Sequence, residues 1–328
     1  MSGPRVVALG GGHGLAATLR SLRKLTTNLT AIVTVADNGG SSGRLREEFN
    51  SLPPGDLRMA LAALCADDEW GRSWAEIMQY RFTSSGELNG HALGNLLLTA
   101  LWDRDEDPVQ GLNRVGALLK VVGRVLPMAL EPLDIEGVFK TWEGTHVVRG
   151  QKEVAVAKGN LENLRLIPEN PTATQEGLAA IASADYITFG PGSWFSSVLP
   201  HVLVAQQRKA IVESRAAKVI ILNLDAAPHM KGEELAGSSP ADHLQVLRNF
   251  APDLACDIAL VDSAVASQSD VLSELEQLVS DMGGRVIVAD LASHPGSNHH
   301  DSEKLFSASA TFSNERCLDN PHGNDRVS

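Results

Sequence analysis

A run of glycines between an apolar strand pattern and a helical pattern constrains the fold more than any other feature of this chain. Residues 6–9 are a short apolar run typical of a buried strand, and the glycine-rich loop GGGHGL follows at residues 10–15. Leucines then recur at helical spacing up to Leu25, and residues 29–35 are rich in β-branched side chains. A strand, a helix and a second strand in this order predict a βαβ unit and therefore a parallel sheet.

The same alternation of strands and helices returns in the second half of the chain. Helical patterns near 174–183, 196–216, 240–250 and 269–283 separate candidate strands at 186–189, 219–222, 258–261 and 286–289. The sequence therefore predicts an α/β fold, namely a Rossmann-like, doubly wound, mostly parallel sheet.

The middle and the end of the chain differ from this pattern. An insertion at about 57–168 begins with helical segments at 57–65, 73–80, 91–102 and 109–121 and continues with short strands such as 125–130 and 137–141. We expect one α/β domain over residues 1–292 that carries this helical and small β insertion. Residues 293–328 lack periodicity, which predicts a loosely ordered C-terminal tail.

Charge and cysteine content limit the partners and the compartment. Lys and Arg number 28 against 40 Asp and Glu, so the net charge of −12 argues against a nucleic-acid partner, whereas backbone N–H groups can still hold a small phosphorylated ligand. The cysteines Cys65, Cys256 and Cys317 form no CxxC pair, which favours a reducing compartment. No signal peptide and no apolar stretch of roughly 18 residues is found, so we expect a cytoplasmic protein without a membrane span.

The first glycine loop is a candidate anion-binding site. Glycines allow positive φ and a close backbone approach, and the start of the following helix offers free N–H groups to a phosphate. Leu15 stands where GxGxxG requires its third glycine, and no GK[ST] is present, so the standard dinucleotide and P-loop fingerprints do not fit. The alternative is a tight turn without a ligand. The predicted ligand-binding residues here are Gly10, Gly11, Gly12, His13 and Gly14.

The second motif, ADNGGSSGRLR at residues 36–46, follows the second strand. An acid at this point often binds a ribose, which makes Asp37 a candidate, and the glycines and serines after it can form a second anion-binding turn. The alternative is a polar loop in which Asp37 caps the next helix. The predicted ligand-binding residues here are Asp37, Asn38, Gly39, Gly40, Ser41, Ser42 and Arg44, with Arg46 as a further source of charge.

Three more motifs lie at predicted loop-to-helix transitions. PPGDLR offers Asp56 as an N-cap and Arg58 in the first turn, and NGHALGN places His91 and Asn95 four apart on one helix face. GPGSWFSSVLPH follows a strand and brings Gly190, Gly192, Ser193 and Ser196 to another helix start. Each motif alone is also compatible with caps or packing contacts. Because Ser193 lacks a GxSxG elbow, an acyl-transfer triad is not predicted.

Taken in order, these motifs resemble the CofD-like superfamily and, within it, the YvcK branch of gluconeogenesis factors. The resemblance covers about residues 5–290 and includes HALGNLLL, NLDAAP and SPADHLQVL. It implies a Rossmann-like core with an inserted region and a ligand cleft at the carboxyl ends of the strands. The chain departs from the YvcK pattern at residues 225–235, where DAAPHMKGEEL replaces a segment similar to TQPGET.

The resemblance implies two classes of function. YvcK-type proteins bind UDP-sugars such as UDP-N-acetylglucosamine and are linked to cell shape, cell-wall precursor supply and growth on gluconeogenic carbon, so a non-catalytic nucleotide-sugar sensor is the first expectation. CofD enzymes transfer a phospholactyl group to a deazaflavin precursor with a divalent metal, which would make Asp37 and Asp56 candidate catalytic or metal-binding residues for Mg²⁺. The third alternative is an NAD(P)-binding protein. The sequence assigns no cofactor with certainty; a homodimer is the default assembly, and regulatory protein partners stay open.

Overall fold

The computed structural model describes residues 3–224, 239–267 and 269–319. Within these ranges no helix is both long and apolar enough to cross a membrane. The segment at 225–235, where the chain departs from the YvcK pattern, lies outside the described residues.

The described residues form strands in two sheets. The strands are β1 (Val6–Gly10), β2 (Leu29–Val33), β3 (Arg124–Pro127), β4 (Asp134–Thr141), β5 (Gly144–Arg149), β6 (Asn160–Ile167), β7 (Tyr186–Phe189), β8 (Ala217–Ile221), β9 (Ile258–Asp262) and β10 (Arg285–Ala289). The large sheet has the order β10-β9-β8-β7-β1-β2-β3, and the small sheet has the order β5-β4-β6.

Helices cover both faces of the large sheet or build the insertion. They are α1 (Gly12–Leu22), α2 (Gly40–Phe49), α3 (Pro54–Leu64), α4 (Glu69–Gln79), α5 (Leu93–Asp105), α6 (Pro108–Leu118), α7 (Gln151–Ala155), α8 (Gln175–Ser183), α9 (Pro200–Leu203), α10 (Ala205–Glu213), α11 (Pro240–Phe250), α12 (Ser269–Asp281) and α13 (Ser302–Asp319). A π-helical turn spans Trp194–Val198, and a 3₁₀ turn spans Val265–Ser267.

The large sheet confirms the predicted fold class. Every strand pair in it is parallel, and all residues of β1, β7, β8 and β9 are buried, as expected for strands covered on both faces. From β1 the chain proceeds to β2 and β3 on one side, whereas β7, β8, β9 and β10 extend from the other side. This reversal of strand order is a topological switch point, and ligands of such folds bind at the carboxyl ends of the strands that flank it.

The structure corrects the extent of the predicted β extension. β3 pairs in parallel with β2, with Thr30 opposite Arg124, and therefore belongs to the large sheet. Only β4, β5 and β6 form the separate antiparallel sheet. A four-residue edge strand leaves too little periodicity for the sequence to assign it to one sheet or the other.

One helical prediction also changes, and part of the C-terminal tail is helical. The pattern at 196–216 contains the π-helical turn, α9 and α10 rather than one helix, since Pro200 has no N–H to donate and Val204 adopts an extended conformation. The tail predicted as loosely ordered contains α13, which contacts α1 and buries Leu305 and Ala308. The boundaries of the domain remain a prediction.

Candidate functional site

The loops after β1 and β7 meet directly at the switch point. A Cβ atom on Gly14 would overlap the carbonyl oxygen of Pro191, so the start of α1 and the loop after β7 approach each other through their backbones. Thr18 of α1 donates from Oγ1 to the carbonyl of Gly190 at 3.3 Å. The glycine at position 14 is therefore required for close packing of two loops that line the crevice.

Asp56 fills the space in front of the first glycine loop. Its carboxylate accepts the N–H of Gly12 and, at 3.4 Å, the Oγ1–H of Thr34. A Cβ atom on Gly11 would lie 2.5 Å from Asp56 Oδ2 and 2.6 Å from Thr34 Oγ1. The sequence interpretation of Asp56 as an N-cap is wrong, because Pro53 is the N-cap of α3 and Asp56 reaches across to α1. The Gly12 N–H, expected to be free for a phosphate, thus already has an acceptor.

Two carboxylates share this part of the crevice. Asp37 Oδ1 accepts the N–H of Gly39 at 2.8 Å, and its Oδ2 lies 3.0 Å from the position that a Cβ on Gly55 would occupy. Burial, and then the negative charge of Asp37, raise the pKa of Asp56 to about 7. Asp56 therefore holds its proton more tightly than an ordinary aspartate, and a cation placed between the two acids would favour its ionised form.

The first turn of α2 has no side-chain cap. Its N-cap is Gly39, whose N–H is held by Asp37, and among the described residues no side chain accepts from the N–H groups of the first turn of α2. The positive end of α2 therefore faces the crevice beside the two acids. The alternative to ligand binding was that Asp37 caps α2. In the structure Asp37 accepts the N–H of the N-cap residue, Gly39, and not an N–H of the first helical turn.

A buried arginine is connected to this helix start through a polar network. Arg58 is only 3% exposed and donates from Nε to Asn95 Oδ1 at 2.8 Å, and Asn95 Nδ2 donates to Ser41 Oγ at 2.9 Å. His91 Nδ1 lies 3.1 Å from the same hydroxyl oxygen. Among the described residues Arg58 Nη1 has no hydrogen-bond partner, and burial lowers the pKa of the guanidinium to about 10.

His91 and Asn95 meet in a way that differs from the prediction. α5 begins at Leu93 with Ala92 as its N-cap, so His91 precedes the helix and the two side chains do not share a helix face. They come together because both contact Ser41. Phe82 N–H donates to the His91 carbonyl at 3.0 Å, which holds that residue in an extended segment before α5.

The loop after β7 is fixed by backbone and side-chain contacts. Gly190 and Gly192 have positive φ angles of 70° and 146°. Asn223, just after β8, accepts the Gly192 N–H at 2.9 Å and donates to its carbonyl at 2.8 Å. Ser193 caps the π-helical turn by accepting the N–H of Ser196 at 3.0 Å. The loop after β7, held by Asn223, therefore forms the wall of the crevice opposite the first glycine loop.

Other predicted ligand-binding residues have different placements. Arg44 donates to the carbonyls of Glu87 and Asn89, at 3.0 and 2.7 Å, and so holds an insertion loop. Arg46 donates to Leu133 and to Asp134. The pKa of His13 is lowered first by desolvation and then by the neighbouring His299.

The insertion also contributes to the crevice. Asn38 donates from Nδ2 to Glu153 Oε2 at 3.0 Å, and its Oδ1 accepts the Lys152 N–H at 3.4 Å, which brings α7 onto the second loop. Sequence reasoning missed Thr34, Lys152, Ser197 and Asn223. Asn223 had a signal as part of NLDAAP after a strand, and Ser197 had one as part of GPGSWFSSVLPH.

These groups suit an anionic ligand better than a preformed metal site. In the described part of the chain no three His, Cys, Asp or Glu side chains cluster closely enough to hold a metal ion. The crevice instead combines two carboxylates, a buried guanidinium and an uncapped helix start. An Asp pair alone would need oxygen ligands from water or from the bound molecule to complete a Mg²⁺ shell.

Residues 6–292 match the family described as 2-phospho-L-lactate transferase CofD. Two curated relatives are named gluconeogenesis factor. The protein of Listeria monocytogenes is 34% identical over 313 residues, with 93% of this chain and 94% of the relative covered. The protein of Halalkalibacterium halodurans is 38% identical over 262 residues, with 80% of this chain and 77% of the relative covered.

A Mycobacterium leprae relative is 44% identical over 311 residues, which cover 94% of this chain and 85% of that protein. The fold is also similar to a crystal structure of a UPF0052 family protein from Bacillus halodurans. The TM-score is 0.81 at 33% identity, and the match covers 94% of this chain and 99% of that structure. A match over most of the chain, in sequence and in fold, supports one conclusion: this chain belongs to the CofD-like family.

Proposed function

We propose that this protein binds a nucleotide sugar of the UDP-N-acetylglucosamine type at the switch-point crevice and acts as a cytoplasmic, non-catalytic regulator of cell-wall synthesis, cell shape and carbon metabolism. Relatives named gluconeogenesis factor support a regulatory role in carbon use. The nucleotide, the sugar and the link to the cell wall come from the resemblance to YvcK-type proteins.

The observation that carries the proposal is the buried Arg58 guanidinium. A cation that is 97% shielded from solvent is costly unless its N–H groups are satisfied, yet Nη1 has no acceptor among the described residues. A phosphate oxygen would satisfy it with a charge-assisted hydrogen bond. Through Asn95 the guanidinium connects to Ser41 in the uncapped first turn of α2, which offers further N–H donors to the same anion.

A second candidate function is a CofD-type phosphotransferase. Asp37 and Asp56 support it, because two neighbouring carboxylates, one with its pKa raised to about 7, are suited to bind Mg²⁺ or to accept a proton. Such an ion would neutralise charge on a transferring phosphoryl group. Asp56 would then hold the proton taken from an acceptor hydroxyl.

Thermal denaturation of the full chain with UDP-N-acetylglucosamine, with and without Mg²⁺, tests the first proposal. A ligand that binds only the folded state stabilises it by about 2.7 kcal/mol at 100 times its Kd, so the melting temperature rises. Arg58→Met should abolish most of this rise. Release of UDP or of a transferred phosphoryl product over hours would favour the enzyme, and a shift with NAD⁺ but not with any UDP-sugar would favour a dinucleotide site.

A further inference from the structure

We infer that Lys152, on the insertion helix α7, is the second cation of the ligand site and recognises the diphosphate of a nucleoside-diphosphate ligand. This inference rests on the proposed nucleotide function and extends it to a residue outside every glycine motif of the sequence. Arg58 would contact one phosphate from the interior of the crevice, and Lys152 would contact the other from its solvent side.

The packing of Lys152 against Gly39 is the first observation. A Cβ atom on Gly39 would overlap Lys152 Cε and would lie 3.0 Å from Nζ. The same Cβ position lies 3.1 Å from Asp37 Oδ1. Because Gly39 has no side chain, the ammonium group crosses directly over the N-cap of α2. It therefore lies beside the start of α2, where Ser41 is linked to Arg58 through Asn95.

The anchoring of α7 is the second observation. Asn38 uses both ends of its amide on this helix, since Nδ2 donates to Glu153 and Oδ1 accepts the Lys152 N–H. On the other side Gln151 Nε2 donates to Ser196 Oγ at 3.3 Å. α7 is thus tied both to the loop after β2 and to the turn after β7. These contacts hold Lys152 at the crevice although its side chain is exposed.

The charge pattern is the third observation. Asp37 and Asp56 line the crevice, so a diphosphate would meet two carboxylates, and the buried Arg58 guanidinium opposes them. Lys152 is exposed, no salt bridge of its ammonium group is found within the described ranges, and the group lies over Gly39 beside Asp37. Arg44 cannot take this role, since its guanidinium is held by the carbonyls of Glu87 and Asn89. Two cations on either side of the helix start match a diphosphate better than a single phosphate.

Titration calorimetry with UDP-N-acetylglucosamine, UDP and UMP tests this assignment. Lys152→Met should weaken binding of the two diphosphates about tenfold and leave UMP within about twofold, because the lost contact is to the second phosphate. Lys152→Arg should retain binding within about threefold. Lys158→Met is the matched control, since it removes an exposed lysine from the same insertion with the same change in net charge.

Three results would overturn the inference. Lys152→Met could bind UDP as tightly as Lys158→Met does, or it could lose as much affinity for UMP as for UDP, which would indicate general attraction of anions. If the parent protein binds none of the three nucleotides, the proposed function fails and the inference fails with it. If instead the parent binds UDP and Lys152→Met binds it equally well, only the inference about Lys152 fails.

Discussion

Two acids at the carboxyl edge of the same sheet have opposite surroundings. Asp262, at the end of β9, is 3% exposed and accepts backbone N–H groups from Ala264, Leu291 and Ala292 at 2.8, 2.7 and 3.1 Å. Asp56, near the ends of β1 and β2, has one backbone donor and a long contact with Thr34, and burial raises its pKa to about 7.

The difference separates an acid that has a structural role from the acid of the candidate binding edge. On the β9 side each carboxylate oxygen has a donor, and the chain after β10 is tied down across the sheet, with Lys304 Nζ donating to Asp290 and to the carbonyl of Ala292. On the β1 side the buried Arg58 Nη1 has no hydrogen-bond partner among the described residues, and the N-cap of α2 is a glycine without a capping side chain. Incomplete pairing of buried polar groups is expected where a ligand supplies the missing contacts.

The largest expected effect is on the structural side. Asp262→Ala should lower the free energy of unfolding by about 3–5 kcal/mol, since it leaves three N–H groups without their charged acceptor. Affinity for UDP-N-acetylglucosamine at low temperature should stay within twofold. Urea unfolding and titration calorimetry measure the two quantities. An unchanged stability would show that the two edges do not differ as described.

Asp56→Asn, in contrast, should raise the free energy of unfolding. The raised pKa means that folding favours the protonated carboxyl, so the contribution of Asp56 to stability is greatest below about pH 4 and falls as the pH rises to about 7. Asparagine keeps an acceptor for the Gly12 N–H without the charge. We expect the free energy of unfolding of the ligand-free protein at pH 8 to rise by about 2 kcal/mol, with little change at pH 4. Urea unfolding at several pH values measures the difference. If the free energies of unfolding of variant and parent change with pH in the same way, the prediction is wrong.

At the candidate binding edge, the sequence predicted the positions of strands and loops but not the orientation of the side chains. The strands β1 and β2 and their glycine loops follow from local periodicity, and so the crevice at the switch point could be placed. The sequence could not predict that Asp56 is oriented toward α1, because this orientation depends on how α3 packs beside β2. Lys152 could not be predicted for the same reason: it lies in a part of the insertion outside every motif, and tertiary packing alone brings α7 to Gly39.

A smaller effect is expected at Asp37. If Asp37 contacts the ligand, Asp37→Ala should weaken binding of UDP-N-acetylglucosamine about tenfold, which corresponds to about 1.4 kcal/mol. If it only holds the turn at Gly39, the variant should lose about 1 kcal/mol of stability and keep its affinity. Asp37→Asn keeps an acceptor for the turn but removes the charge, and calorimetry on both variants separates the two roles.

The smallest expected effect concerns Gly12, which has a φ of 59° at the start of α1. A Cβ atom there would meet only Asp56 Oδ1, at 3.9 Å, so Gly12→Ala introduces backbone strain without a collision. The strain should cost about 1 kcal/mol of stability. Gly86→Ala, in open space without a positive φ, is the control and should have no effect.

Because Asp56 already accepts the Gly12 N–H, affinity for the nucleotide sugar should fall only if the ligand also lies against this loop. Equal affinity of Gly12→Ala and parent, together with the expected loss of stability, would assign the first glycine motif to packing and to holding Asp56, and would leave the start of α2 as the phosphate-binding element.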